Sequence, residues 1–303
     1  MQATFVIPCF NEQDRLPAAE ILAFAQAEDV RLLLVDDGST DATRAQLVDI
    51  AHAAPARVRV LGLDVNVGKG EAVRRGLLDA LAGGAPIVGY ADADLATPRL
   101  ELLRLRDELV RRELSVVTGA RVKLVGVQID RKAMRHYLGR VFATCAALVL
   151  RTPYYDTQCG AKLFRATPLL QLALEAPFRS RWAFDVELLG RLMVGMGNEP
   201  GLDMSTLREL PLETWVDVGE SKLRPGGMIR SGLDLARIAM HLETLRAEAR
   251  RRVPAHDQRA GVNTSARPAA GSTLPRSSAG LGTNATRPAA PSVVSATGEP
   301  NRS

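Results

Sequence analysis

Two carboxylates separated by one residue, Asp92 and Asp94, follow the apolar run Ile87-Val88-Gly89-Tyr90. At the end of an extended segment both side chains project to one side, which makes half of an oxygen cage for a hard cation whose remaining ligands are substrate phosphates and water. A second acidic pair, Asp36-Asp37, follows Leu32-Leu33-Leu34-Val35, and Gly38-Ser39-Thr40-Asp41 continues it with the residue types of a helix amino terminus. Ser39 or Thr40 can cap such a helix and Asp41 suits its dipole. The adjacent carboxylates of Asp36 and Asp37, by contrast, repel each other after a buried strand and call for a ligand or cation. Asn66-Val67-Gly68-Lys69-Gly70 has the composition of a truncated phosphate-binding turn, short of full Walker spacing and without Ser or Thr after the lysine. The chain has 34 arginines and five lysines, and Lys69 and Lys222 both sit in Gly-flanked polar turns. A compact ammonium there suits a diphosphate or a carboxylate.

The elements that must position these groups read as alternating strands and helices. Phe5-Val6-Ile7-Pro8 is a short strand ending at proline, and residues 13–28 carry helical spacing. Leu32 to Val35 is a second strand, Ala42 to Ala54 a helix, Val58 to Leu63 a third strand, and the turn at Asn66 opens a helix to about Leu81. Ile87 to Tyr90 is the fourth strand, followed by a helix over roughly Pro98–Arg112 and a strand at Ser115–Thr118. This alternation predicts an α/β fold, a mostly parallel sheet covered by helices on both faces. Ligands of such sheets bind beyond the carboxyl ends of the strands, where Asn11-Glu12, Asp36–Asp41, Asn66–Gly70 and Asp92–Asp94 all fall.

Composition narrows the function classes. The sequence has 303 residues, 46% hydrophobic and 24% charged, enough for one large or two small cored domains. Its net charge of +5 suggests a polyanion binder until the charge is located: the segment from Arg251 onward holds seven arginines and two acids, leaving 32 basic and 32 acidic residues before it. Residues 253–303 lack aromatics and are dominated by Ala, Ser, Thr, Pro, Gly and Arg, so a disordered tail is expected there and nucleic acid is not an expected partner. Cys9, Cys145 and Cys159 form no C-x-x-C pair and the four histidines lack ligand spacing, which points any metal to carboxylates and to Mg²⁺ or Mn²⁺ rather than zinc. The first residues run into a strand without the features of a signal peptide, and the longest apolar run, Val141 to Leu150, is about half the length of a membrane span. A cytoplasmic protein is expected. Met134–Leu150 and Met228–Arg252 nevertheless have the pattern of basic amphipathic helices, which fits either a membrane surface or ordinary packing with a solvated Arg face.

Taken in order, Val6-Ile7-Pro8-Cys9-Phe10-Asn11-Glu12, Val35 to Asp41, Asn66 to Gly70 and Ala91-Asp92-Ala93-Asp94 resemble family 2 glycosyltransferases of the Rossmann-like GT-A fold. Downstream, Asp156-Thr157-Gln158-Cys159-Gly160-Ala161-Lys162-Leu163-Phe164, Arg181-Trp182-Ala183-Phe184-Asp185-Val186-Glu187 and Gly219-Glu220-Ser221-Lys222 look like the polyprenyl-phosphate, or dolichyl-phosphate, β-glucosyltransferase branch. The resemblance spans about residues 3–245 and, together with the patterning and composition above, divides the chain into a transferase domain over 1–227, an amphipathic helix over 228–252 and the disordered tail over 253–303. It implies that Pro8, Asn11, Glu12, Asp36, Asp37, Lys69 and Asp92 contact the donor, UDP-glucose being favoured. Asp92 and Asp94 would hold the metal and Lys222 face the diphosphate. Arg121, with Arg135 or Arg131 as its partner, would grip the acceptor phosphate at the cytoplasmic face of a membrane. Asp156, Gln158, Trp182, Asp185 and Glu187 would line or support the acceptor side. Mannosyl-phosphate synthases usually carry Gln where this chain has Ala96 and Arg where it has Val216, which favours the glucosyl-type branch. The alternatives are a GDP-mannose-dependent polyprenyl-phosphate transferase, transfer to a sugar hydroxyl with Asp156, Asp185 or Glu187 as base, and a nucleotide-binding scaffold without turnover.

Overall fold

The computed structural model describes residues 1–122, 128–129, 133–216 and 227–252, with the side chains of 128–129, 133–138, 227–231 and 252 excepted. In chain order the elements are β1 (Ala3–Cys9), α1 (Ala18–Ala25), β2 (Val30–Asp36), α2 (Thr43–Ala53), β3 (Val58–Gly62), α3 (Lys69–Ala82), β4 (Ile87–Ala91), α4 (Arg99–Arg111) and β5 (Val116–Ala120). They continue as β6 (Gln128–Ile129), α5 (Ala133–Leu150), β7 (Ala161–Arg165), α6 (Pro168–Glu175), α7 (Phe184–Val194), β8 (Gly195–Met196), β9 (Glu199–Pro200), β10 (Leu207–Pro211), β11 (Thr214–Trp215) and α8 (Gly227–Arg252).

Seven strands form one sheet in the order β10-β5-β7-β4-β1-β2-β3. All its pairings are parallel except those of β7, which runs antiparallel between β4 and β5. Both faces are buried, so the central strands need apolar residues at successive positions. Phe5, Ile7, Leu32 and Leu34 point into one core, with Ile21, Phe24, Leu47, Leu102 and Leu105 of α1, α2 and α4. Val6, Leu33 and Val35 point into the other, with Val73, Leu77, Leu170, Leu188, Leu189, Ile238 and Leu242 of α3, α6, α7 and α8. The expected α/β sandwich is present.

The expected helix over 13–28 is shorter, confined to α1. Proline disfavours the helical conformation of the residue before it, and Leu16 precedes Pro17. The amides of Arg15 and Leu16 instead close a turn on the carbonyl of Glu12. At the other end of the chain α8 packs on α5 and α7, burying Leu235, Ile238, Leu242 and Leu245. Asp234 of α8 accepts a hydrogen bond from Ser180 Oγ at 2.7 Å. The expected tail over 253–303 lies outside the described residues.

Candidate active site

The carboxyl ends of β1, β2 and β4 and the amino end of α3 meet at one rim, because parallel neighbours finish together. β7 is antiparallel, so its first residue, Ala161, lies beside Ala91 at the end of β4. The preceding segment Asp156–Gly160 therefore reaches the same rim from the far half of the chain.

Asp37 shows why the sequence folds as it does here. Its Oδ1 accepts from the Val67 amide at 2.8 Å, and its Oδ2 accepts from the Gly68 amide at 2.9 Å and Asn66 Nδ2 at 3.2 Å. The Asn66–Gly70 turn thus offers its amides to a carboxylate within the chain, which corrects the phosphate-turn reading of that motif. Burial pushes the Asp37 carboxyl up, partly offset by these amides. Arg181 clamps the turn from outside, donating to the carbonyls of Val67 at 2.9 Å and Asn66 at 3.0 Å. A Cβ on Gly68, whose φ is +96°, would lie 2.8 Å from Arg181 Nε. Asp36 is fully buried, with Ser39 N at 3.1 Å from its Oδ1 and Arg44 Nε at 2.6 Å from its Oδ2. The compensation that the sequence calls for is supplied within the chain: Arg44 is the cation at Asp36, and the turn amides satisfy Asp37.

Asn11, with φ +51°, laces β1 to β2. Its amide donates to Ser39 Oγ at 3.1 Å and its Oδ1 accepts from the Thr40 amide at 2.9 Å. Ser39 and Thr40 consequently do not cap α2. The cap position is Ala42, which has no side-chain cap, and Asp41 just before it accepts from the Thr43 amide at 2.9 Å through Oδ1. Glu12 pairs with Arg15, and its backbone amide donates to Thr43 Oγ1 at 2.8 Å. Pro8 is half-buried at the end of β1, one residue before Cys9.

Lys69, the first residue of α3, reaches Asp92 Oδ1 at 2.5 Å. Burial pushes the Asp92 carboxyl up, but Lys69 beside it, with Arg121 and Lys162, more than offsets this and leaves it below the usual range. Burial lowers the Lys69 ammonium, and the charges of Asp92, Asp185 and Asp94 raise it further than burial lowers it. Burial, then the nearby charge of Asp92, holds the Asp94 carboxyl above its usual range, while Asp94 Oδ1 accepts from the Ala96 amide at 3.0 Å. A Cβ on Gly160 would lie 2.0 Å from Asp92 Oδ2, so only glycine lets the Asp156–Gly160 segment close over that carboxylate. Two carboxylates at a strand end are a hard-oxygen donor set, and they fit a divalent cation completed by phosphate and water. Among the described residues no three metal-binding side chains cluster.

The acceptor-side residues separate into two groups. Asp156 forks onto Arg121, with Nε to Oδ2 at 2.7 Å and Nη2 to Oδ1 at 2.8 Å, and Arg121 also lies over the Trp215 ring. Gln158 is half-buried in the same segment and Trp182 is exposed. Asp185 is buried, where its Oδ1 accepts from Lys162 Nζ at 2.8 Å and from Tyr90 Oη. Glu187 is fully buried: its Oε1 takes Arg191 Nη2 at 2.7 Å and its Oε2 the Arg179 amide at 2.8 Å. Arg191 in turn donates to the carbonyls of Ala173, Ala176 and Pro177, which end α6. Glu187 is thus held inside the molecule by Arg191 and the Arg179 amide. Arg131 and Lys222 lie outside the described residues, as does the side chain of Arg135, in the first turn of α5. Sequence reasoning missed Arg44, Arg181, Lys162 and Tyr90. Only Lys162 carried a signal, as one of five lysines in an arginine-rich chain.

A mostly parallel sheet that brings a D-x-D pair, a lysine and interlaced loops to its carboxyl rim has the GT-A fold. Residues 4–171 match the model of glycosyl transferase family 2, and the chain belongs to that family. It is 30% identical to a dolichyl-phosphate beta-glucosyltransferase of Trichomonas vaginalis, over 78% of this chain and 71% of that one. It is 33% identical to the enzyme of the same name from Drosophila melanogaster, over 78% and 73%. In fold it is similar to glucosyl-3-phosphoglycerate synthase from Mycobacterium tuberculosis, solved with Mn²⁺, UDP-glucose and phosphoglyceric acid. That match has a TM-score of 0.59 and 19% identity, over 78% of this chain and 79% of the other.

Proposed function

We propose that this enzyme transfers glucose from UDP-glucose to the phosphate of a polyprenyl lipid, with inversion at the anomeric carbon. One observation supports a phosphate over a hydroxyl acceptor: the three candidate bases, Asp156, Asp185 and Glu187, are each already paired with a cation. Asp156 is forked on Arg121, Asp185 meets Lys162 and Tyr90, and Glu187 meets Arg191. A hydroxyl acceptor needs a free base near its proton. A lipid monophosphate, whose second pKa is about 6, is largely dianionic at neutral pH and needs none. Names carried by relatives at about 30% identity support the same acceptor.

The chain's own residues then have simple tasks. Arg121 lies at the end of β5, and Asp156–Gly160 joins it to Asp92, so the acceptor's cation and the donor's carboxylate are spanned by one short segment. Arg121, oriented by Asp156 at its Nε and Nη2, is assigned to the acceptor phosphate as a charged donor, with Arg135 or Arg131 assigned as its partner. Lys69 and Lys222 face the donor diphosphate, while Asn11, Glu12, Asp36 and Asp37 shape the nucleoside side. Mg²⁺ or Mn²⁺ on Asp92 and Asp94 would neutralise the departing nucleotide diphosphate. Among the described residues no helix is long and apolar enough to cross a membrane. Val141 and Leu148 on α5 and Leu233 and Met240 on α8 are exposed, which supports a peripheral seat at the cytoplasmic face.

The test is a donor and acceptor screen: UDP-glucose, UDP-galactose and GDP-mannose against a polyprenyl phosphate in vesicles and against free sugars, with Mn²⁺ or Mg²⁺. The expected product is a glucosyl lipid phosphate made from UDP-glucose. Faster transfer from GDP-mannose, or to a sugar hydroxyl, would overturn the reading.

A further inference from the structure

The position of Lys69 is more tightly determined than donor contact alone requires. It is the first residue of α3, and the turn before it is held on both sides: Asp37 takes the amides of Val67 and Gly68, and Arg181 takes the carbonyls of Asn66 and Val67. The backbone that carries it is rooted, yet the Lys69 side chain is 38% exposed and the Asp92 side chain 34%. Asp92 is confined as well, since its Oδ2 abuts Gly160 where no Cβ would fit. Its Oδ1 meets the Lys69 ammonium at 2.5 Å. Asp94, two residues on, has no ion pair among the described residues. The carboxylate that a divalent cation needs is therefore already neutralised by a flexible, solvent-reachable cation of the chain, and its neighbour is not.

We propose that Lys69 is the exchangeable counter-ion of Asp92, released when a divalent cation takes the carboxylate and drawn onto the diphosphate that arrives with it. The inference rests on the metal assignment made under the proposed function and adds a coupling to it. A cation approaching without nucleotide must displace an ammonium that then has no new partner. A diphosphate approaching without metal must pull that ammonium away from a carboxylate. Each ligand removes the obstacle to the other, and by linkage the two binding free energies change by the same amount. The pair also has a plain alternative, a fixed ion pair that simply anchors α3 to β4, and the two make different predictions for binding.

Mn²⁺ alone and UDP alone are the probes, titrated into the full-length protein by calorimetry and by electron paramagnetic resonance of free Mn²⁺. In the wild type, UDP is expected to tighten Mn²⁺ binding at least tenfold, and Mn²⁺ to tighten UDP binding by the same factor. Lys69→Met should bind Mn²⁺ at least tenfold more tightly than wild type without UDP, with most of the coupling gone. Asp92→Asn should bind UDP without metal several-fold more tightly than wild type, because the ammonium is no longer held. Lys69→Arg, which retains the charge, should keep Mn²⁺ binding weak without UDP and so show that charge rather than packing is responsible. Equal Mn²⁺ affinity in wild type and Lys69→Met, including no binding by either without UDP, would overturn the exchange. So would an Asp92→Asn protein that binds UDP no better than wild type. If Mn²⁺ instead binds both Asp92→Asn and Asp94→Asn as well as it binds wild type, the metal assignment itself fails, a result distinguishable from loss of the exchange alone.

Discussion

Just past the end of β4, Asp92 and Asp94 stay partly exposed, whereas at the start of α7 Asp185 and Glu187 are buried against Lys162, Tyr90 and Arg191. The residue types are the same, and in the sequence both groups stand in polar-looking motifs. Burial and partner count separate them. A carboxylate enclosed with a cation and amide donors cannot exchange partners without leaving that cation uncompensated. One at a strand end with a single flexible partner can. Opposite charges packed inside the molecule hold its shape, and opposite charges at the rim are available to substrates.

The largest expected effect lies on the buried side. Glu187→Ala leaves Arg191 without its carboxylate, which should destabilise the fold by about 3–5 kcal/mol, roughly 10 °C in melting temperature for a domain of this size. Turnover per folded molecule should be little changed. Differential scanning calorimetry with active-site titration checks this, and lost turnover at an unchanged melting temperature would move Glu187 to the chemical side. At the rim the pattern should invert. Asp94→Asn should lower kcat at least about a hundredfold, some 2.7 kcal/mol, with the melting temperature equal to or above that of wild type. Neutralising a carboxyl already held up by burial and by Asp92 removes repulsion from the fold. A melting temperature that falls along with kcat would erase the distinction.

Arg121 and Asp156 stand between these extremes, with side chains 14% and 10% exposed. Lysine cannot reproduce a guanidinium fork, so Arg121→Lys should cost at least about tenfold in kcat/KM for the lipid phosphate, near 1.4 kcal/mol, with UDP-glucose affinity unchanged. Equal losses for donor and acceptor, or a stability loss alone, would place the pair with Glu187 and Arg191. Kinetics in the lipid phosphate together with nucleotide-sugar binding separate those outcomes.

The central strands are legible in the sequence because each must be apolar on both faces, and Leu32-Leu33-Leu34-Val35 has no other reading once helices flank it. Asp92-x-Asp94 is legible because its geometry is local. Partner choice over long separations is not. Nothing near Asp37 indicates that it will hold the amides of Val67 and Gly68, and nothing near Arg181 marks it, among 34 arginines, as the clamp on that turn. β7 is equally silent. Its sequence Ala161-Lys162-Leu163-Phe164-Arg165 puts a lysine in mid-strand, which reads as an edge or a loop until Asp185 and Tyr90 are seen to receive its ammonium. The base readings of Asp185 and Glu187 arise in the same way, since sequence shows a carboxylate and not its partner.

The antiparallel course of β7 also orders events during synthesis. The parallel group β1 to β4 can pair as soon as residues up to Ala91 have left the ribosome, and with it the Asp36–Asp37 and Asn66–Gly70 loops can interlock. The centre of the sheet waits for Ala161 to dock beside Ala91, after β5, α4 and α5 have been made, and closing so long an intervening stretch is slow relative to local pairing. Until it does, Asp92 lacks the Gly160 wall and Arg121 lacks Asp156. A nascent chain therefore passes through a stage that has the Asp36–Asp37 and Asn66–Gly70 loops but not the Asp156–Gly160 segment beside Asp92 and Arg121, and that side of the rim forms with the insertion of one five-residue strand.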